Sequence, residues 1–515
     1  MTQYTRRRLL AAGLGTAAVG SIAGCSSDTA QSSTIRIGGT YIPESIDPVD
    51  HGGGPLGQIG VYESLCRVSP ELEIQPQLAT DWTVTDDNRT WTFDIRDDVQ
   101  FHDGTDLTGK SVEHSLSRAF AESSLLSPLP VEEVATTDRY EVQITTTTPF
   151  SPLPSYLSHP YASIISSDST TDSGEFEEPV GTGPYVFESW QMNERLVATK
   201  NSDYYESLPQ INRVVYEGIQ DSQTSVFSLE ANELDISYNL SASALEDLSE
   251  NDDVELSITP TTNNRFLAYN VRRPPFDDVR VRKAVNHAID MQTIVETVLS
   301  DLGSAAVGPF DPSVSDWANT SLEPYEYDPE RARALLEDAG WEATPEEGTP
   351  RQRDGTPFEI VLRTYTRQPE LELISEVIQD QLSEVGIDIE ILVTEVAAIQ
   401  EDMEAGEFDV GLWSYNFFWV ADPDRAMTFY HSTDSQIHTG YDNPEADELI
   451  ERGRRVTDVE ERKEIYDELQ TIVHDDTPLG MLTYKETVSG TRNRVKNFDV
   501  HPTMYTHGLR NLRLQ

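Results

Sequence analysis

Hydrophobic residues recur along the chain with two periods, and from residue 35 onward the elements that they predict alternate. Trp91, Phe93 and Ile95 alternate with polar residues, which predicts a half-buried strand. Apolar residues at helical spacing predict helices over 111–120, 277–288, 328–339, 369–385 and 459–474. An alternating run of Ile and Val over 387–393 follows the fourth of these helices at once. A helix directly followed by an apolar strand is typical of an α/β fold with a largely parallel sheet.

The first 25 residues have a different pattern, typical of an export signal. Arg6, Arg7 and Arg8 precede an apolar run of 16 residues, which is shorter than a membrane-spanning helix needs. The run ends in Ile22-Ala23-Gly24-Cys25, which has the form of a lipobox. We therefore predict a twin-arginine signal peptide over 1–25 and a lipid on Cys25 that anchors the mature protein to the outer face of the cell membrane. The small polar residues 26–33 are predicted to be a tether.

The composition indicates a very saline environment and excludes nucleic acid as a partner. The chain has 90 acidic and 37 basic residues, a formal charge of -53, and only six of the basic residues are Lys. Repulsion between so many like charges is largely screened in molar salt, where the Debye length is about 3 Å. We interpret the charge as adaptation to a medium such as that of a haloarchaeon. A strongly acidic surface repels phosphates.

No catalytic or metal-binding pattern is present, so we predict neither an enzyme nor a cofactor. His102-Asp103-Gly104 is predicted to be a turn with an exposed histidine, and 181–184 lacks the Lys and Ser or Thr of a phosphate loop. Gly52-Gly53-Gly54-Pro55 is predicted to be a flexible turn. If Cys25 carries lipid, Cys66 has no partner for a disulfide and is predicted to be a small buried residue.

The stretch 412–423 is unusually aromatic for a core strand, because it does not alternate with charges. Two interpretations of this segment stay open: packing in a core, or a wall that contacts a ligand. Its candidate ligand residues are Trp413, Tyr415, Asn416, Phe417, Phe418 and Trp419.

Several motifs, in order along nearly all of 35–515, resemble the extracellular solute-binding proteins of the peptide/nickel class of ABC importers, solute-binding family 5. The motifs that carry the resemblance are Ser45-Ile46-Asp47-Pro48, Tyr62-Glu63-Ser64-Leu65, 75–82, 91–96, 99–104, 179–185, 280–288, 328–341, 378–389, 407–413 and 442–474.

The resemblance implies an α/β, two-lobed periplasmic-binding-protein-like fold with an extra inserted subdomain. It places 34–67, 180–265 and 485–515 in lobe I, 68–179 in the inserted subdomain and 266–484 in lobe II. The chain would cross between the lobes near Arg272 to Phe276 and near Tyr484 to Ser489. The protein is expected to be a monomer whose lobes close around the ligand.

The resemblance also implies candidate ligand residues, with two departures from the peptide-binding members. In those members a carboxylate of the protein pairs with the ammonium group of the peptide. The corresponding position in this chain is Trp419 or Asn416, depending on the alignment. Asp422 is therefore the nearest acidic candidate for this role. In dipeptide-binding members an arginine binds the carboxylate of the peptide. The corresponding position here is Tyr365, and Arg363 and Arg367, two residues to either side, could take over this role. Further candidates complete this set: Tyr41, Asn264, Arg363 and Arg367.

The expected function is capture of a peptide or a similar small solute and its delivery to a membrane permease driven by an ATPase. A nickel chelate or a saccharide is the alternative ligand within the same class. A secreted, anchored hydrolase is a remote alternative, because it would need a nucleophile, base or metal cluster.

Overall fold

The computed structural model of the chain describes residues 33–40, 44–49, 53–345, 348–504 and 509–515. The predicted signal peptide, Cys25, the tether up to residue 32 and the candidate Tyr41 lie outside these residues. Within the described ranges, no helix combines the length and the apolar character needed to cross a membrane.

The strands are numbered in chain order. They are β1 Thr34–Gly39, β2 Cys66–Val68, β3 Ile74–Pro76, β4 Ala79–Val84, β5 Thr90–Ile95, β6 Val131–Asp138, β7 Glu141–Thr146, β8 Tyr185–Gln191, β9 Arg195–Lys200, β10 Arg213–Gly218, β11 Ile236–Leu240, β12 Val254–Tyr269, β13 Gly303–Ala305, β14 Gln352–Arg353, β15 Thr356–Pro357, β16 Glu359–Tyr365, β17 Asp388–Thr394, β18 Val410–Asn416, β19 Leu479–Arg492, β20 Val495–Lys496 and β21 Arg513–Leu514.

The helices are numbered in the same way. They are α1 Gly53–Gln58, α2 Gly109–Glu122, α3 Leu153–Tyr156, α4 Ser222–Glu230, α5 Ser243–Leu248, α6 Val279–Ala288, α7 Met291–Thr297, α8 Pro329–Asp338, α9 Pro369–Glu384, α10 Val396–Ala405, α11 Pro423–Met427, α12 Pro444–Arg455 and α13 Val459–Asp476. Short 3-10 helices cover Pro160–Ala162, Ser167–Ser169, Thr428–Tyr430 and Leu509–Asn511.

Within the described residues, eleven strands form one mixed sheet in the order β17-β16-β18-β12-β19-β11-β1-β10-β9-β8, with β13 paired to β19. Pairing is parallel where β16 meets β17 and β18 and where β1 meets β10 and β11. The long strands β12 and β19 are antiparallel to each other, and β12 is antiparallel to β18. The expectation of a largely parallel sheet is therefore wrong. The α/β rhythm of the sequence holds around β16 and β17 but does not extend to the two strands at the centre of the sheet.

A second sheet has four strands in the order β4-β5-β7-β6, and all its pairings are antiparallel. The predicted strand lies in it as β5, where Trp91, Phe93 and Ile95 are buried against α2 and its neighbours. The alternation seen in the sequence is thus confirmed.

The helices predicted from the 3.6-residue period are found as α2, α6, α8, α9 and α13. The flexible turn predicted at Gly52–Pro55 is wrong, because α1 begins at Gly53. Pro55 lies in the first turn of α1, where a helix tolerates proline, and Leu56 is fully buried in the adjoining core. His102 is half-buried rather than exposed, because its Nε2 contacts the carbonyl of Gly183 at 3.0 Å.

Buried apolar side chains form separate cores. One core draws mainly on residues from Phe266 to Tyr484, together with Leu72, and a second draws mainly on residues from Leu65 to Val180. Two smaller cores combine segments between Ile35 and Val254 with Leu302 and with residues from Val488 onward. We refer to these regions as lobe II, the inserted subdomain and lobe I. The domain limits themselves stay a prediction.

The strands β12 and β19 connect the two lobes. Val254 belongs to a core of lobe I and Phe266 to the core of lobe II, and the pairing with β19 shifts register between Pro260 and Asn264. The first crossing therefore lies inside β12, and its expected position at Arg272 to Phe276 is wrong. On β19, the cores change between Tyr484 and Val488.

Candidate functional site

A cavity of about 980 Å³ lies where lobe I, the inserted subdomain and lobe II meet. We call it the cleft cavity. Its wall combines residues distant in sequence, including Tyr62, Glu63, His159, Phe418, Trp419 and Thr503. A volume of this size is sufficient for a small organic solute or a short peptide.

The aromatic segment passes from the core of lobe II to the inserted subdomain. Phe417 packs on Phe266 and Phe429, with ring centroids 5.5 and 5.4 Å apart. Phe418 packs on Phe310 and also lines the cleft cavity. Two residues later, Val420 belongs to the core of the inserted subdomain. The segment therefore contributes Phe417 to a core and Phe418 to the wall of the cleft cavity, and contact with a ligand stays a prediction.

Trp413 and Tyr365 lie together inside lobe II rather than at the cleft cavity. Their ring centroids are 5.3 Å apart, and the Tyr365 hydroxyl donates to the carbonyl of Ser414 at 3.1 Å. Both side chains are buried. This contact joins β16 to β18 and holds the strand that leads into the aromatic segment.

Trp419 is the half-buried aromatic residue of the cavity wall. Its ring lies 6.0 Å from that of Tyr415 and 6.5 Å from that of Tyr161, and its indole N–H points to Nε2 of His159. One face of the cavity therefore consists of rings from lobe II and from the inserted subdomain.

The sequence did not indicate His159, although it follows a buried apolar stretch and precedes Pro160. Its Nδ1 faces the backbone N–H of Tyr161 at 3.1 Å. Burial, with the positive charge of Arg425 adding to it, lowers the pKa of His159 to about 3. The imidazole is therefore neutral at physiological pH.

The two candidate asparagines are bonded within the protein. Asn416 Oδ1 accepts from the Thr262 hydroxyl at 2.6 Å, and its Nδ2 donates to the carbonyl of Thr503 at 3.2 Å. Asn264 is buried, and its Nδ2 donates to the carbonyl of Pro309 at 2.5 Å. These bonds position the segment around the first crossing of β12.

Asp422 is paired inside the protein. Its carboxylate accepts from Nη1 and Nη2 of Arg462 at 2.9 and 2.7 Å, and its Oδ1 accepts the N–H of Asp424 at the start of α11. The side chain is 5% exposed. In this geometry Asp422 ties the aromatic segment to α13, and it is not one of the residues that line the cleft cavity.

The arginines named from the resemblance lie near the end of β16. Arg363 donates through Nε to Asp402 at 3.1 Å, whereas Arg367 is exposed in the turn before α9. Neither residue lines the cleft cavity.

Glu63 is a buried acidic residue of the cavity wall that the sequence placed only in a family motif. Its Oε1 accepts from the hydroxyls of Tyr204 and Tyr205 at 2.8 and 3.1 Å and from Gln77, and its Oε2 accepts from Thr182 at 2.8 Å. Burial raises the pKa of Glu63, against these hydrogen bonds. These donors join Glu63 to two other parts of lobe I and to the start of the inserted subdomain.

The described ranges contain no group of three or more His, Cys, Asp or Glu residues that could hold a metal ion. Cys66 is a free, buried thiol, as predicted, and burial raises its pKa above the ordinary value.

Comparison with known families identifies the class of protein. The family model described as bacterial extracellular solute-binding proteins, family 5, middle region, matches residues 73–436. Because this match covers more than half of the chain, the chain belongs to this family, whose members serve ABC importers.

The particular relatives match nearly the whole chain. It is 27% identical to the glutathione-binding protein GsiB of Pectobacterium atrosepticum over 516 residues, which cover 96% of each protein. The structure is similar to that of NikA from Brucella suis in complex with Fe(III)-EDTA, with a TM-score of 0.84, 25% identity, and coverage of 93% of this chain and 100% of NikA. The oligopeptide-binding protein AppA of Bacillus subtilis, solved with a nonapeptide, shares the fold with a TM-score of 0.78 at 22% identity, covering 94% of this chain and 99% of AppA. The two-lobed α/β fold is thereby confirmed.

Proposed function

We propose that the protein captures a peptide or a similar small solute in the cleft cavity and delivers it to an ABC permease and its ATPase. The observation that carries the proposal is the cavity itself, about 980 Å³ in volume and walled by both lobes and the inserted subdomain. A ligand held there touches all three regions, so its binding favours the closed arrangement of the lobes.

Trp419 and Phe418 are the proposed aromatic contacts of the ligand. Both line the cavity, and Trp419 is only half-buried, so one side of its ring is available for stacking. Trp413, Tyr365 and Phe417 support this wall from the core of lobe II.

The second candidate ligand is a metal chelate. The similarity to NikA, a protein solved with Fe(III)-EDTA, favours it. Glutathione, the ligand named for the curated relative, falls within the peptide candidate. We do not propose the secreted hydrolase, because the matched family consists of solute-binding proteins of ABC importers.

Native mass spectrometry of the protein from its own cells tests the proposal directly. We expect a retained solute of unchanged chemical structure. Calorimetry with that solute should show at least about 1 kcal/mol weaker binding for Trp419→Ala. As a control, Trp190→Ala changes a half-buried tryptophan of β8 outside the cavity wall. If Trp419→Ala binds the solute with the same affinity as wild type, Trp419 does not contact the ligand and only packs against its neighbours.

The proposed location is the outer face of the cell membrane, with a lipid on Cys25. Its support is the twin-arginine stretch followed by the lipobox. Arg6→Lys with Arg7→Lys should leave precursor in the cytoplasm, and Cys25→Ser should release the exported protein from the membrane fraction. Normal membrane attachment of both variants would contradict this location.

A further inference from the structure

Residues 501–504 form a short segment that bonds to regions on both sides of the cleft cavity, and we call this segment the C-terminal strap. The carbonyl of Met504 accepts from Nε2 of Gln58 on α1, in lobe I, at 2.7 Å. Nε2 of His501 donates to the carbonyl of Ser69, at the start of the inserted subdomain, at 3.0 Å. The strap therefore joins lobe I to the inserted subdomain.

The strap also holds the two strands that lead into the aromatic segment. The carbonyl of Pro502 accepts the N–H of Thr262, at the first crossing of β12, at 3.2 Å. The carbonyl of Thr503 accepts from Nδ2 of Asn416, the last residue of β18, at 3.2 Å. The Thr262 hydroxyl in turn donates to Oδ1 of Asn416 at 2.6 Å. One short segment thus fixes the place where both strands reach the cavity.

Asn416 transmits this position to the residues of the cavity wall. Its Oδ1 accepts the N–H of Phe418 at 2.9 Å, and its carbonyl accepts the N–H of Trp419 at 3.2 Å. Phe418 and Trp419 both line the cleft cavity. A shift of the Thr503 carbonyl therefore displaces the two aromatic residues that we propose as ligand contacts.

His501 fixes the shape of the strap through both of its ring nitrogens. Nδ1 accepts the N–H of Thr503 at 3.2 Å and its hydroxyl at 2.8 Å, while Nε2 donates to Ser69. This pattern requires a neutral ring with its proton on Nε2. Burial lowers the pKa of His501, against the carbonyls of Ser69 and Val68 and the charge of Glu71, so the ring is neutral at physiological pH.

We propose that the C-terminal strap positions the aromatic wall of the ligand site and that His501 is the positioning residue that fixes the strap. This inference rests on the proposed function and adds to it the residues that hold the ligand contacts in place. His501 acts through Thr503 and Asn416, so its effect does not depend on a contact with the ligand. A binding site works only when its contact residues are held within about 0.5 Å by such supporting bonds.

Selective ¹⁵N labelling of tryptophan tests the inference by NMR on the ligand-free protein in molar KCl. The indole N–H of Trp419 points to His159, so its chemical shift reports where the ring lies. The signal is assigned by its absence in Trp419→Phe. We expect the signal to shift in His501→Gln, because glutamine can still donate to Ser69 but places no acceptor where Nδ1 meets Thr503.

His501→Asn separates positioning from packing. The Oδ1 of asparagine takes the place of Nδ1 and accepts the N–H two residues further on, an arrangement that asparagine favours in turns. Asparagine is also smaller than histidine and leaves Ser69 without its donor, so a packing role predicts a larger disturbance than in His501→Gln. The positioning role predicts the opposite, a Trp419 signal close to that of wild type.

His431→Gln is the matched control. Nδ1 of His431 accepts the N–H of Thr433 at 3.2 Å in the same kind of turn, and His431 is also buried but does not line the cleft cavity. This variant should leave the Trp419 signal unchanged. Trp341, in the core of lobe II, serves as the internal reference in every spectrum. Melting curves establish that each variant is folded.

Calorimetry with glutathione measures the consequence for binding. We expect His501→Gln to bind about tenfold more weakly than wild type, the effect of losing about one hydrogen bond. His501→Asn should stay within about threefold of wild type, because the bond that holds Thr503 is retained.

The outcomes separate this inference from the proposed function. An unchanged Trp419 signal in His501→Gln overturns the inference, and so does a larger change in His501→Asn than in His501→Gln. Both results leave solute capture intact, because the spectra are recorded without ligand. Absence of glutathione binding to wild type contradicts the peptide candidate of the proposed function, and the Trp419 signals then decide the inference alone.

Discussion

At the scale of single residues, His159 illustrates how burial at the cavity wall sets protonation. Its pKa is lowered to about 3 in the folded protein, whereas a histidine in an unfolded chain has a pKa of about 6.5. Between these values the unfolded chain binds a proton that the folded protein does not. The stability contributed by the neutral ring is therefore complete above about pH 6.5 and is lost as the pH falls toward 3.

We expect His159→Gln to reduce the acid sensitivity of folding. Between pH 7 and pH 5, the contribution of His159 to the free energy of unfolding falls by about 2 kcal/mol. Urea unfolding of wild type in molar KCl should show this loss, and His159→Gln should show about 2 kcal/mol less of it. His287→Gln, on α6 and remote from the cavity, is the matched control. Identical losses in wild type and His159→Gln would contradict the assignment.

The Asp422–Arg462 pair gives a second prediction at this scale. Both side chains are buried, so Asp422→Asn leaves the guanidinium of Arg462 without its counter-charge. Breaking a buried pair in this way costs about 3–5 kcal/mol of stability. Glu330→Gln, which breaks the exposed pair with Arg333, should cost less than about 1 kcal/mol. Unchanged stability of Asp422→Asn together with lost ligand binding would restore Asp422 as a ligand anchor.

Which residues face the cavity could be predicted from the sequence only in part. The segment rich in aromatics was visible, because its lack of alternating charges is a local property. The partition between Phe417 in the core and Trp419 at the cavity depends on where β18 ends and where the inserted subdomain packs. The pairing of Asp424 with Arg454 and of Asp422 with Arg462 was not visible, because these arginines lie 30 and 40 positions beyond their aspartates.

At the scale of elements, local signals predicted the helices well. Asp278 and Asp328 accept N–H groups at the starts of α6 and α8, and Gly340 has the positive φ of 86° suited to the end of α8. The pairing of strands is a non-local property. The sequence therefore predicted β17 correctly but gave no signal that β12 and β19 run through both lobes.

The end of α12 makes a contact between lobe II and the inserted subdomain. Ser151 donates through its backbone N–H to the carbonyl of Arg454 at 2.7 Å and through Oγ to that of Gly453 at 3.0 Å. Asn88 Nδ2 donates to the carbonyl of Arg455 at 2.7 Å. These carbonyls belong to the last turn of the helix, where no intrahelical donor follows. The contact therefore stabilises the arrangement in which the two regions meet.

We expect Ser151→Ala combined with Asn88→Gly to favour the open arrangement and to weaken ligand binding without touching the ligand. Glycine suits position 88, because Asn88 has a φ of 52°. Two hydrogen bonds of about 1 kcal/mol each correspond to about a 30-fold loss of affinity if they form only on closure. Small-angle scattering should show a larger radius of gyration for the double variant than for wild type. Calorimetry with glutathione should show that the double variant binds more weakly.

Ser383→Ala is the control for this pair, because its hydroxyl bonds only to Asp380 at the end of α9. It should change neither the radius of gyration nor the affinity. If the double variant matches wild type in both measurements, the end of α12 has no part in closure.

At the scale of the whole molecule, charge connects stability to the medium. The charge of -53 is spread over the surface, and many of the ion pairs are exposed and contribute little individually. Dilution from molar salt to about 0.1 M extends the Debye length from about 3 to about 10 Å, so that each acidic residue then interacts with many others. The compact state suffers more from this repulsion than the expanded chain does.

We therefore expect the melting temperature to fall progressively as KCl is diluted from molar concentration to about 0.1 M, measured by circular dichroism. Sucrose separates screening from a general solute effect, because it favours the compact state without screening charge. Sucrose added at low salt should restore only a small part of the loss, whereas added KCl should restore all of it. A melting temperature that is independent of KCl, or equal recovery with sucrose, would show that repulsion does not limit the fold.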